Sequence, residues 1–162
     1  MRAEILSLDS PVLIGARINI EAPAEKIFSI LADPRSHSLF DGSSTVQSVI
    51  KGPERLFLGA RFGMNMKIKV GYKITNEVIE FEENKKIAWR HLMRWVWRYE
   101  LVDLGGGVTQ VSEYFDASPC NKAQLWWLKK TGSMARNPKW MAKSLVKLKV
   151  LAESEPATKQ GR

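Results

Sequence analysis

Residues 86–104 constrain this chain more than any other stretch. They carry three of the six tryptophans and one of the two histidines. Read by twos, Ile87, Trp89 and His91 share a side. After a break near Met93 and Arg94, Trp95, Trp97, Tyr99 and Leu101 do the same, with Arg94, Arg98 and Glu100 opposite. Alternation of period two, aromatic on one side and charged on the other, is that of two adjacent half-buried antiparallel strands. The inner side bears indole N–H groups, a phenol and an imidazole, and such groups need partners when buried. A face like this either fills a core or lines a pocket.

The flanking sequence supplies more of the same sheet. Residues 12–21 alternate, with Ile14, Ala16, Ile18 and Ile20 on one side. Pro23 suits a first helical position and Glu25 the positive end of a helix, so a helix runs from there to Asp33, where Pro34 stops it. A second short helix or turn covers residues 35–41. Further strands are expected at 43–50, 61–70 and 72–82. The face of the last is ambiguous at Val78, Ile79 and Phe81, which a bulge would reconcile. In 61–70, Phe62, Met64, Met66 and Ile68 make an adaptable apolar wall. Glycines 105–107 close a tight turn into residues 108–116, where Thr109, Val111, Glu113 and Phe115 share a side. Residues 1–11 give little signal, and residues 118–138 are irregular, with a short amphipathic helix around Trp126 and Trp127. From Pro138 to about Ser154 a longer helix is expected, with Met141, Leu145, Leu148 and Ala152 at helical spacing.

The order is strand, two short helices, about six antiparallel strands and a long C-terminal helix. The expected class is α+β, a strongly bent sheet with the terminal helix across its concave face. Residues 1–154 make one domain, and 155–162 read as a disordered tail. With 162 residues, 44% apolar and 26% charged, the chain has the composition of a soluble globular domain. The single cysteine, Cys120, excludes an internal disulfide and fits a reducing compartment. Acids stand where a signal peptide needs an apolar run, and no stretch approaches a membrane span, so a cytoplasmic protein without stable membrane insertion is expected. The formal charge of +8 is spread along the chain and is densest on the C-terminal lysines, which read as a solvated helix face rather than a nucleic-acid surface.

In sequence the chain resembles the polyketide cyclase/dehydrase branch of the START-like (SRPBCC) superfamily. The resemblance rests on INIEAPAEKIFSILADPR at 18–35, HSLFDGS at 37–43, GARF at 59–62, IAWRH at 87–91, WRYEL at 97–101 and VSEYFD at 111–116, in that order. It implies a helix-grip fold, a curved seven-stranded antiparallel sheet wrapped around a long C-terminal helix, with two short helices after the first strand. It also implies an apolar cavity between sheet and helix. Members bind lipids, sterols, polyketides or plant hormones, and some cyclise or dehydrate aromatic polyketides.

Phosphate-binding, dinucleotide and His-Glu-x-x-His motifs are absent, and one cysteine with two histidines makes no dedicated zinc site. No cofactor is expected. His91 and Glu113 are the best chemical candidates, since parity puts both on the face of Trp89, Trp97 and Tyr99. A carboxylate near an imidazole can orient it and make an acid–base pair, or the two can be polar members of the core. His37 and Asp41 either rim the cavity or cap turns. Trp126 and Trp127, beside Lys129 and Lys130, either touch a membrane surface, gate the pocket, cover the core or meet a second copy in a homodimer. The expected function is binding of a small hydrophobic or aromatic metabolite or lipid. Phe62, Met64, Met66, Trp89, Trp97, Tyr99, Met141 and Leu145 would supply burial, and His91, Glu113 and Tyr99 orientation. The alternative is a polyketide cyclase or dehydratase using the His91/Glu113 pair.

Overall fold

The structure is a computed structural model and describes residues 1–91 and 93–154, apart from the Ile50 side chain. The tail expected at 155–162 lies outside the described residues. The strands are β1 (Glu4–Leu6), β2 (Leu13–Ile20), β3 (Val46–Lys51), β4 (Arg61–Lys67), β5 (Gly71–Glu82), β6 (Lys86–His91), β7 (Val96–Gly105) and β8 (Val108–Asp116). The helices are α1 (Ala24–Ala32), α2 (His37–Phe40), α3 (Lys122–Lys130) and α4 (Ser133–Glu153), with a 3-10 turn at Pro34–Ser36. All strands join one antiparallel sheet in the order β1-β2-β8-β7-β6-β5-β4-β3. The fold is therefore α+β with a long C-terminal helix, as expected.

The sheet has eight strands rather than seven. The extra one, β1, is a three-residue edge strand paired to β2, with Ile5 half exposed. Three residues contain too little alternation to register as a pattern. β8 shows the opposite case: Thr109, Val111, Glu113 and Phe115 are all buried and their neighbours are not. In β5 the register shifts between Val78 and Glu80, so Ile79 is the extra residue of a bulge. That bulge lets Val78 pair with Trp89 and Phe81 with Ile87 on the same inner face.

Local chemistry sets the helix ends. Pro23 is the N-cap of α1 rather than its first helical residue, and its carbonyl accepts from Lys26 and Ile27. α1 stops at extended Asp33, before Pro34, and the Asp33 carboxylate then accepts from the Arg35 backbone N–H. α1 buries Ile27, Phe28, Leu31 and Ala32, each worth about 1 to 3 kcal/mol by area removed from water. α3 begins with a capping box in which Asn121 and Gln124 satisfy each other's backbone N–H.

The terminal helix starts at Ser133, five residues before Pro138. Pro138 lies inside it and forfeits one backbone hydrogen bond; the first turns stay helical because Ala135 and Arg136 bond back to left-handed Gly132. Met141, Leu145, Leu148 and Ala152 are buried as their spacing predicts. Two of the C-terminal lysines are tied in rather than merely solvated. Lys147 donates to the Asp41 carbonyl at 2.7 Å, and Lys149 donates to the Asn19 carbonyl and pairs with Glu153.

α4 packs chiefly on β2, with β8, α1, α2 and α3 beside it. α4 itself stands clear of the concave face of β4 to β7, and only α1 and α2 reach over part of that face, with Phe28 on Phe81, His37 on Trp89 and Phe40 on Tyr99. That asymmetry makes room for a cavity. Gly42, after α2, touches α4 so closely that a Cβ there would stand 2.2 Å from the Trp140 carbonyl oxygen. Its N–H donates to Ser144 Oγ at 2.8 Å. Among the described residues, no helix is long and apolar enough to cross a membrane.

Candidate ligand cavity

Strand register decides which inner side chains become neighbours. Glu113, Tyr99 and Ile87 form one row across β8, β7 and β6. Phe115, Trp97 and Trp89 form the next. His91 lies one row further, opposite Asn76 of β5. Above these rows, Met64 faces Ile74 and Met66 faces Tyr72 across β4 and β5. α2 brings in His37 and Phe40, and the 133–144 part of α4 closes the other side. Together they enclose about 700 Å³.

Met64, Met66, Trp89, His91, Trp97, Tyr99, Glu113 and Met141 all line this cavity. Phe62 and Leu145 do not. Phe62 is fully buried one layer back, edge-on to His37 at 5.5 Å and to Trp89 at 5.9 Å, and those two rings face the space instead. Leu145 is fully buried in the core with Leu148, while Met141 and Ser144 carry the cavity face of the helix.

His91 and Glu113 share the cavity but not a contact. Their rows are separated by four residues of strand, about 13 Å at the usual rise. The His91 ring stacks on Trp95 at 4.8 Å, and its Nδ1 accepts the Met93 N–H at 3.1 Å. Burial alone lowers its pKa. Parity puts both residues on the inner face, as expected, but register keeps them from forming an acid–base pair with each other.

At the buried end of the cavity, burial favours the neutral forms of Glu113, Tyr99 and His37, with the Asp41 carboxylate beside them. Burial pushes the Glu113 carboxyl up to about 8; the Tyr99 hydroxyl opposes that rise and the Asp41 charge adds to it. Among the described residues, Glu113 Oε2 has no hydrogen-bond partner. Burial, then Glu113, raises the Tyr99 phenol well above its ordinary value. His37 stacks on Trp89 at 4.7 Å and donates from Nε2 to the Leu31 carbonyl at 2.9 Å. Burial drives its pKa down to about 4, against that hydrogen bond. His37 thus belongs to the wall and also closes the α1–α2 connection. Asp41 likewise does both, accepting from the Ser43 and Val46 N–H groups while lining the cavity.

The opposite end is the mouth, where the lining residues are exposed: Ile68, Tyr72, Trp127 and Arg136. Trp127 is therefore a cavity residue, while its neighbour Trp126 points away and carries the Lys130 ammonium over its ring at 4.7 Å. Cys120 is buried against the Met93 carbonyl, with its thiol raised by burial, which suits packing rather than nucleophilic attack.

Several lining residues escaped sequence reasoning, chiefly Phe40, Asn76, Arg136, Asn137, Trp140 and Ser144. A signal for the last four existed. Ser133, Arg136, Asn137, Trp140, Met141 and Ser144 follow helical spacing on one face, but only if the helix is started before Pro138. Asn76 is inward by parity with Val78, ahead of the bulge.

No protein-family model matches the chain. It is 35% identical over 141 residues to the uncharacterized protein Rv0088 of Mycobacterium tuberculosis, covering 85% of this chain and 63% of that one. The chain thus spans less than two thirds of that relative's length. Among solved structures, protein Ms6760 of Mycobacterium smegmatis superposes with a TM-score of 0.69 at 14% identity, over 93% of this chain and 97% of that one. The Polyketide_cyc-like protein Cgl2372 of Corynebacterium glutamicum gives 0.60 at 21% identity, over 90% and 94%. The fold is shared with both. At these identities the likeness speaks for architecture alone.

Proposed function

We propose that this chain binds a small apolar or aromatic metabolite, or a lipid, in the cavity between sheet and terminal helix. The cavity carries the reading. Its volume of about 700 Å³ lies within the range of small-molecule pockets. Its walls are mainly Trp89, Trp97, Tyr99, Phe115, Met64 and Met141, with a few polar groups at either end. The methionines allow the wall to adjust to guests of different outline. The START-like resemblance and the Polyketide_cyc-like fold neighbour support the same class of ligand. Protein purified under native conditions and then denatured should release a hydrophobic compound into organic solvent. Emptied protein should enhance Nile red fluorescence. Absence of both would reject the reading.

A second reading has one specific observation behind it, the raised Glu113 carboxyl with an unpartnered oxygen in the cavity. In a cyclase or dehydratase of polyketide type, neutral Glu113 would give its proton to a substrate oxygen, with Tyr99 holding the carboxyl in place. Such an enzyme would lose rate as pH rises through about 8. Glu113→Gln would then abolish turnover while ligand still bound. If turnover persists in Glu113→Gln, this reading fails; if a broad panel of substrates is bound but never converted, the protein is a carrier.

A further inference from the structure

We infer that the cavity mouth carries an anion subsite, formed by Arg136, Asn137 and the uncapped first turn of α4, which selects ligands with an apolar body and a terminal carboxylate. This rests on the binding reading above and names its ligand class.

Three independent features converge at one place. α4 has 21 residues, and its N-cap, Gly132, has no side chain to satisfy the first turn, so the positive end of the helix opens where Ser133 lines the cavity. One turn further on, Asn137 lines the cavity at only 5% exposure, with no side-chain hydrogen bond to any described residue. Its amide is thus open to the cavity and free to donate to and accept from an occupant. Between them stands Arg136, also in the lining, whose guanidinium lies over the Trp140 ring at 5.1 Å and has no carboxylate within ion-pair distance among the described residues. Stacking holds the planar fork in position while leaving its N–H edge free for a bidentate carboxylate.

The geometry also gives the ligand a direction. Glu113, Tyr99 and His37 at the buried end are neutral, so that end suits a carbonyl or hydroxyl and repels no dipole, whereas a carboxylate there would face Asp41 and lose its solvation. At the mouth the same carboxylate keeps partial solvation and gains a cation. An acidic amphiphile therefore enters body first and stops with its charge at Arg136.

The test is a fluorescence titration of the whole chain with cis-parinaric acid and with its uncharged methyl ester at neutral pH. The acid should bind about tenfold more tightly than the ester, the effect of one charge-assisted pair. Arg136→Gln should bring the acid down to the ester's affinity and leave the ester within about twofold of its original value, while Arg136→Lys keeps part of the preference. Lys139→Gln, which removes an exposed charge from outside the cavity lining, should change neither. Equal binding of acid and ester by the unmodified chain overturns the subsite and leaves the pocket standing. An acid preference that survives Arg136→Gln overturns the assignment to Arg136. Failure of both probes to bind overturns the subsite together with the binding reading.

Discussion

Burial raises the Glu113 carboxyl from 4.5 to about 8, so the folded chain holds this proton more tightly than the unfolded chain does. Its contribution to stability is complete below about pH 4.5 and declines as pH rises to about 8. His37 works in the other direction. Its pKa falls from 6.5 to about 4, so the stability tied to its neutral form is present above 6.5 and is lost as pH drops toward 4. Between about 4.5 and 6.5 the two slopes cancel. Glu113→Gln removes only the first. Relative to the parent, that variant should gain stability steadily from pH 4.5 to 8 and level off above it, by an amount of a few kcal/mol. Urea denaturation at a series of pH values reads the difference. A constant offset across that window would mean that Glu113 is ionised in the folded protein.

At the scale of elements, two contacts of α4 set the shape of the cavity. Gly42 lets the chain after α2 lie directly on that helix. Gly42→Ala would drive a methyl carbon into the Trp140 carbonyl and the Ser144 N–H, and should cost about 1 to 3 kcal/mol or more. An unchanged denaturation midpoint would show that the loop can retreat without loss. Pro138 has the opposite sign. Pro138→Ala supplies the missing helical N–H and should stabilise by about 1 to 2 kcal/mol, raising Tm by about 3 to 6 °C in a chain of this size. A lower Tm would mean that the proline ring packs too well at the mouth to be replaced. Pro138 also shows why the helix was only partly legible in the sequence. A proline signals a helix start, and reading it so hid the turns that carry Arg136 and Asn137. The strands were more transparent, because alternation assigns every residue a face. It assigns no row, however. His91 and Glu113 were placed on the correct side of the sheet from parity alone, but their separation depends on register, which is set by hairpin turns and by the bulge at Ile79. His37 and Phe40 lie on a four-residue helix too short to show periodicity, and only tertiary packing puts them on Trp89 and Tyr99.

For the whole molecule, an internal space of about 700 Å³ is a standing loss of packing that a bound guest restores. Binding to the folded state alone raises stability by mass action, about 2.7 kcal/mol when free ligand is a hundred times Kd, which corresponds to about 5 to 10 °C in Tm. Chain stripped of its guest on a hydrophobic resin should therefore melt lower than chain as purified, and added Nile red should raise Tm progressively with concentration. The protein also exposes apolar groups outside the cavity, with Trp126 at 59%, Phe57 at 56% and Leu58 at 61%. Dye adhering there would fluoresce too, but it would not favour the folded state over an unfolded chain that exposes the same groups. Fluorescence enhancement with no rise in Tm would thus place the dye on the surface, whereas a parallel rise in both places it between the sheet and α4. Met64→Arg adds a decisive control, since a cation on the inner wall of β4 should suppress both signals while leaving those outer groups untouched.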